Sequence, residues 1–227
     1  NGKLITGDCY KNYNLSKNDE IDIISTNKSV YGYFAVSGGF ELKKNFGSFS
    51  TTVRASVGAN NGNKISKNQN FFINDFGDNY INKSLKYINS KIEYIRILKG
   101  TNFDYFFEQS IKDLISKEFI VSKLSDRMGM RLQGPKIKNL KETNIRSEGL
   151  TKGVIQVPAD GNPIIMLSDH GTIGGYPKIG VVASVDYDRL VQISPGSKIK
   201  FKEIELSDAE TLFKLYEMET QNLISQI

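Results

Sequence analysis

The pattern of apolar and polar positions makes the first seventy residues read as β. Glu20 to Thr26 (EIDIIST) alternates as a half-buried strand should, and Tyr31 to Val36 (YGYFAV) is an aromatic and β-branched run that stops at Ser37-Gly38-Gly39. Gly47 to Gly58 is rich in Ser and Thr, and Asn60-Asn61-Gly62-Asn63 after it is a strong turn signal. Phe71 to Ser90 is Asn- and Asp-rich without a clean period, which marks a linker. Lys91 to Leu98 (KIEYIRIL) alternates again. Phe106, Phe107, Ser110, Ile111, Leu114 and Ile115 then fall on one face of a helix. Phe119–Val121, Met128–Leu132, Val154–Val157, Ile164–Leu167, Ile179–Val185 and Phe201–Glu205 are short runs that predict strands, separated by turn chemistry at 158–161 and 171–177. A closing helix is predicted from Ser207, whose hydroxyl and Glu210 fit a capping box. Many short strands, Gly/Pro turns and only two helices predict barrels or sandwiches, a mainly β fold, over a doubly wound α/β sheet.

Composition narrows the chemistry. A chain of 227 residues buries roughly 70% of its unfolded surface and needs no staple to hold a core. One Cys (Cys9) and one His (His170) exclude an internal disulfide, a Cys/His zinc site and a protein-held iron–sulfur cluster. The net charge of +5 is carried by lysines interleaved with acids, and the most basic stretch, 136–152, has no aromatic for base stacking. A solvated lysine-rich face accounts for it, with no nucleic acid as partner. No apolar run reaches the 18 or so residues that span a bilayer, and no signal peptide opens the sequence, so no membrane is expected and cytoplasm is the expected location.

The motifs are of small-molecule type. Gly171-Thr-Ile-Gly-Gly175 lacks both the P-loop Gly-Lys-Ser/Thr and the G-x-G-x-x-G spacing of dinucleotide sites. Beside Asp169-His170 its bare amides suit an anion or carbonyl. A hydrolytic triad would need His170 with Ser147 or Ser168 and Asp126 or Asp169, but no serine sits in a G-x-S-x-G elbow, and neighbouring Asp169 and His170 point to opposite faces of extended chain. Arg127 and Arg131 are two of only six arginines in a lysine-rich chain. Such use of Arg indicates a need for its planar fork, either around a ligand carboxylate, phosphate or ureido group or around a neighbouring Asp or Glu. Glu148, Gln156, Asp160 and Asp169 add carboxylates and an amide near strand ends.

Ser125-Asp-Arg-Met-Gly-Met-Arg-Leu-Gln-Gly-Pro135, Ser147-Glu-Gly149, Gly153-Val-Ile-Gln-Val-Pro-Ala-Asp-Gly-Asn-Pro163 and Asp169 to Lys178, ending Gly-Gly-Tyr-Pro-Lys, follow one another in order. In these motifs the sequence resembles the biotin-dependent carboxyltransferase family, also called allophanate hydrolase subunit 2. That family includes the KipA-like proteins, which form the C component of 5-oxoprolinase, and part of the urea carboxylase carboxyltransferase region. Tyr33–Gly39 and Gly47–Arg54 match more loosely, with Phe49 where the family usually has Arg. The resemblance implies tandem cyclophilin-like β-barrels with a few helices, the first barrel incomplete. Residues 1–75 would be the remainder of that barrel, 76–90 a linker, and 91–227 the second barrel with its C-terminal helix. Family members carry a further N-terminal segment, so the chain is expected to be the latter part of a longer protein.

The activity implied is that of the KipA-like C component of an ATP-dependent 5-oxoprolinase opening 5-oxoproline to L-glutamate. Its expected partners are the KipI-like B component and the A component of the same enzyme. The alternatives are a carboxyltransferase moving a carboxyl group from carboxybiotin to urea or a related amide, and a non-catalytic regulatory or scaffold subunit. ATP would be used by the complex and biotin would enter only the carboxyltransferase reading; no cofactor or metal is expected on this chain itself. Glu148 and Asp169 are the expected proton-transfer or amide-nitrogen groups. Arg127 and Arg131 would hold an anionic or ureido group. Gln156, Tyr176 and the Gly174-Gly175 amides would orient a carbonyl, Asp160 lines the site, and Lys178 either balances charge or lies on the surface.

Overall fold

The computed structural model describes residues 2–7, 10–24, 29–74 and 93–225. Cys9 and the 76–90 linker lie outside the described residues. The chain divides into two compact units, one of residues 1–31 with 84–227 and one of residues 32–83.

The larger unit is built on one eight-stranded sheet. Its strands are β5 (Ile95–Lys99), β6 (Phe119–Val121), β7 (Gly129–Gln133), β9 (Val154–Gln156), β10 (Ile164–Met166), β12 (Lys178–Val182), β13 (Lys198–Ile199) and β14 (Phe201–Glu203). The same unit also holds β1 (Leu4–Thr6), paired parallel with β2 (Glu20–Asp22). A separate two-stranded ribbon joins β8 (Glu148–Gly149) to β11 (Ile173–Gly174).

Strand order in the large sheet is β13-β6-β7-β10-β9-β12-β5-β14. Its two end strands are neighbours in the chain, separated by Lys200 alone, so the sheet curls into a nearly closed barrel whose seam is bridged by the backbone. Lys200 C=O accepts from Ile95 N–H at 2.7 Å, and Phe119 and Phe201 pack across the seam with ring centroids 5.8 Å apart. All pairs in this sheet are antiparallel except β14 with β5.

Alternation of side chains makes one face of this sheet the core. Ile95, Ile97, Phe119, Val121, Met130, Leu132, Ile155, Ile165, Ile179 and Phe201 all turn inward and are essentially fully buried. Helices close the ends: α1 (Glu108–Ser116) inserts Leu114, and α2 (Ser184–Leu190) inserts Tyr187 and Leu190. Arg96 on β5 clamps α2, pairing through its guanidinium with buried Asp186, whose Oδ2 also accepts the Arg96 backbone N–H at 2.7 Å.

Helix α3 (Leu206–Ser225) packs Ala209, Leu212 and Tyr216 beside Ala183 and Val185. The Tyr216 hydroxyl donates to Asp188 at 2.7 Å; that bond first, and burial second, raise its pKa above the ordinary 10.0. A raised acid pKa contributes stability fully present below pH 10 and lost as pH rises through the folded value. The melting temperature should therefore fall as pH rises above 10, and Tyr216→Phe should flatten that dependence. Among the described residues no helix is long and apolar enough to cross a membrane.

In the 32–83 unit, β3 (Thr51–Thr52) and β4 (Val57–Gly58) form a small antiparallel hairpin around a 3₁₀ turn, Val53–Ala55. A bridge joins Phe40 to Ile73, and Phe34, Phe40 and Phe71 cluster. Many apolar side chains of this unit face outward, Tyr33 and Phe46 almost completely.

The mainly β expectation holds, with four local corrections. Tyr31–Val36 forms no strand, and the strand expected over Glu20–Thr26 covers only Glu20–Asp22 among its described residues. The apolar run Ile179–Val185 is split: β12 stops at Val182 and a third helix, α2, starts at Ser184. Ser207 is not the cap of α3, because Ala209 N–H already donates to Glu205 C=O, which puts Ser207 inside the first turn.

Candidate functional site: a polar row on the barrel wall

Three registers line up four side chains. Arg131 on β7 pairs with Ile164 on β10, Ile164 with Gln156 on β9, and Gln156 with Lys178 on β12. Directly paired residues of antiparallel strands share a face. Their inward neighbours fill the core, so these four form one row on the outer wall, stepping about 4.8 Å from strand to strand. The order across the wall is cation, aliphatic, amide, cation.

The β8–β11 ribbon lies over one end of that row. Gly174 sits opposite Glu148 in the ribbon, and Ile145 N–H donates to Gly175 C=O at 2.8 Å. A Cβ on Gly174 would stand 2.8 Å from Gln156 Nε2 and 2.7 Å from Leu150 Cδ1, so any larger residue there would displace the tips of those two side chains. Gln156 is buried and donates through Nε2 to Tyr176 C=O at 3.0 Å. Lys178 Nζ donates to Glu148 Oε2. The lysine side chain is 6% exposed and the glutamate 45%, so a buried ammonium is met by a carboxylate that reaches in from solvent. An ammonium so enclosed is tolerable only with such a partner. Of the two expectations for Lys178, the surface one is thereby corrected: its backbone is on the wall, and the ribbon, formed by residues distant in sequence, covers it.

Asp160, in the turn joining β9 to β10, lies toward the Arg131 end of the row. Burial pushes its carboxyl up, but the Asn162 backbone amide and side chain, with the charges of Lys136 and Arg131, outweigh that and hold it below its ordinary 3.8. Asn162 N–H donates to Oδ1 at 3.1 Å and Nδ2 donates to Oδ2 at 2.6 Å.

Arg127 and Asp169 come together as a bidentate pair, Nε to Oδ2 at 2.7 Å and Nη2 to Oδ1 at 3.0 Å, reinforced by Asp169 N–H donating to Arg127 C=O. Of the two uses weighed for the fork, Arg127 shows the pairing with an aspartate. Both Asp169 oxygens are engaged, which suits an anchor better than a free base. Asp126 accepts the Met128 and Gly129 amides and shapes the turn into β7. No triad assembles: His170 Nδ1 faces Gly171 C=O at 2.5 Å, and Ser168 Oγ lies 3.4 Å from the Tyr187 hydroxyl. Among the described residues no group of His, Cys, Asp and Glu could hold a metal.

The structure thus gathers Glu148, Gln156, Gly174, Gly175, Tyr176 and Lys178 at one end, with Arg131 and Asp160 toward the other, and sets Arg127–Asp169 apart as a pair. Surface hollows beside α3, lined by Lys214 and Met218, and in the 32–83 unit, lined by Lys43 and Asn60, include none of these residues. Sequence reasoning missed Asn102, whose buried side chain accepts the Lys178 N–H, and the Arg96–Asp186 pair. The scarcity of arginine that singled out Arg127 applies equally to Arg96.

Known proteins share this architecture. The crystal structure of the Kluyveromyces lactis urea amidolyase matches with a TM-score of 0.73 over 83% of this chain and 13% of that one; at 22% identity this shows the fold. The C component of 5-oxoprolinase from Haemophilus influenzae is 30% identical over 204 residues, 89% of this chain and 65% of that protein. Its Escherichia coli namesake is 32% identical over 181 residues, 78% and 57% of the two chains. The chain therefore spans somewhat less than two-thirds of the length of these curated relatives. The family description "carboxyltransferase domain, subdomain A and B" matches residues 3–203, and with that span this chain belongs to the carboxyltransferase-domain family.

Proposed function

We propose that this chain acts as the C component of an ATP-dependent 5-oxoprolinase, in a cytoplasmic complex with a KipI-like B component and an A component. The observation that carries this reading is the composition of the polar row. 5-Oxoproline combines a carboxylate, two ring methylenes and a lactam amide, and the wall offers a cation in Arg131, an aliphatic side chain in Ile164, and an amide and a second cation in Gln156 and Lys178. The namesakes at 30% and 32% identity support it.

Arg131 pairs with the substrate carboxylate, Ile164 supports the ring methylenes, and Gln156 orients the lactam. Lys178, enclosed and cationic, stabilises charge that develops on the lactam oxygen as water adds and the ring C–N bond breaks. Glu148, a carboxylate in its pair with Lys178, takes a proton from the attacking water and passes it to the leaving ring nitrogen. Arg127–Asp169 keeps the neighbouring wall in register. ATP is consumed by the complex, and no residue of this chain is assigned to it.

Two site variants test the reading in the reconstituted complex. Arg131→Ala should raise KM for 5-oxoproline about 10- to 100-fold with a smaller change in kcat, since a charged hydrogen bond is worth about 1.5–3 kcal/mol. Gln156→Leu should lower 5-oxoproline-dependent ATP hydrolysis by at least tenfold. Wild-type constants in both variants, with the KipI-like component still bound, would instead support a regulatory or scaffold role.

The relation to urea amidolyases favours one second reading, carboxyl transfer from carboxybiotin to urea or a related amide. Its ureido carbonyl and carboxylate call for the same donor chemistry, which Gln156, Lys178 and Arg131 provide. Turnover with urea and carboxybiotin, and none with 5-oxoproline, would select it.

A further inference from the structure

We propose that Asn102 is the positioning residue for Lys178: it pins the β-bulge that puts a lysine, rather than an isoleucine, at the end of the polar row. The catalytic consequence rests on reading that row as the substrate site, whereas the clamp itself does not.

Strand β12 runs along β9 with Val181 opposite Val154 and Gly180 opposite Ile155, and the register then slips so that Lys178 faces Gln156. Ile179 and Gly180 consequently both turn toward the core. Ile179 is completely buried there, and a Cβ on Gly180 would stand 3.6 Å from Ile97 Cδ1 and 3.7 Å from Ile155 Cδ1. In a regular strand, side chains alternate. Ile179 would then lie over Gln156 on the outer wall and Lys178 would be driven into the aliphatic core, because a one-residue shift exchanges the two faces. The single inserted residue therefore decides the chemistry of the row.

Asn102 holds that insertion. Its Oδ1 accepts the Lys178 N–H at 3.0 Å, and its own backbone N–H donates to the Lys178 C=O at 3.2 Å, so both backbone groups of one residue are met by one asparagine. Asn102 is 6% exposed. Gly100 secures the neighbouring peptide, its N–H donating to Ile179 C=O at 3.0 Å, and a Cβ there would fall 2.3 Å from Lys178 O. The loop after β5 thus fits against the bulge so closely that only hydrogen has room. A buried N–H left without an acceptor is disfavoured, which makes the Asn102 oxygen the element that the bulge cannot spare.

Two measurements test this. In the wild-type chain, amide hydrogen exchange at Lys178 should be at least 100-fold slower than for an exposed amide. In Asn102→Leu it should quicken by tenfold or more while Ile155 and Ile165 keep their rates, and Asn102→Asp, which retains an acceptor oxygen, should restore protection. In the reconstituted complex, Asn102→Leu should lower kcat at least tenfold with KM for 5-oxoproline within about twofold, and Asn102→Asp should recover most of it. Fast exchange at Lys178 in the wild type overturns the clamp even if Asn102→Leu does not fold. Protection unchanged in a folded Asn102→Leu overturns it equally. If exchange responds as expected while turnover moves in neither Asn102→Leu nor Lys178→Met, the clamp stands and the reading of the row fails.

Discussion

Arg96→Leu should destabilise the barrel unit by about 3–5 kcal/mol, the usual cost of stranding one half of a buried ion pair. Asp186 is 2% exposed. Its Oδ2 accepts both the Arg96 backbone N–H and Nε–H, the latter at 2.9 Å, and Oδ1 faces the same guanidinium. The hydrogen bond to Asp186 is the main influence raising the Arg96 pKa, against burial, which opposes it. Leucine would fill much of the space but leave a carboxylate in the core with one backbone donor. Removing both charges, Arg96→Leu with Asp186→Leu, should cost less than the single substitution, because no uncompensated charge remains. Urea denaturation of the three proteins decides it. A loss under 1 kcal/mol for Arg96→Leu, or a double variant weaker than the single one, would refute the account.

On the proposed 5-oxoprolinase function, Lys178→Met should reduce 5-oxoproline-dependent turnover of the complex by about 10²–10³-fold, the range for removing one preorganised donor from a developing oxyanion. It should do so without unfolding the chain. Methionine follows the lysine stem, and the partner left behind, Glu148, is already 45% exposed and can hydrate. The reverse change is asymmetric. Glu148→Leu leaves an ammonium enclosed beneath the ribbon with its carboxylate gone, so it should lower stability more than Lys178→Met does. Kinetics of the complex and thermal melts of the isolated chain check the two halves separately. Equal stability losses for the two variants would mean that the lysine is better hydrated than the geometry indicates.

The legible parts of this chain are those whose information is local. Phe119–Val121, Val154–Val157 and Ile164–Leu167 are short β-branched or aromatic runs between turn residues, and each became a barrel strand. Ile179–Val185 carried too little contrast to show where strand yields to helix, because the start of α2 is fixed by Asp186 reaching back to Arg96, 90 residues away. The Ser207 box misled for a related reason: α3 is positioned by its apolar face on α2, and that packing starts the helix before the box. Within the site, residue type and motif order singled out Gln156 and Lys178, and the registers of β9 and β12 explain why they stand together. The burial of Lys178 was illegible, since the ribbon covering it is assembled from Glu148 and Gly174, and so was Asn102, 76 residues from the amide it holds.

The seam at Lys200 has a consequence for how the barrel comes into being. β5 is the first barrel strand to be synthesised, yet one of its two partners, β14, is the last, and the parallel pairing of Ile95 with Phe201 joins the beginning of the barrel to its end. Until Phe201–Glu203 has left the ribosome, β5 presents a free strand edge of alternating isoleucines. Closure is therefore a late, long-range step, slowed by the loop that must be ordered first. During that interval the growing chain is open to edge-to-edge association, and the same single residue that closes the finished barrel also sets the moment at which this exposure ends.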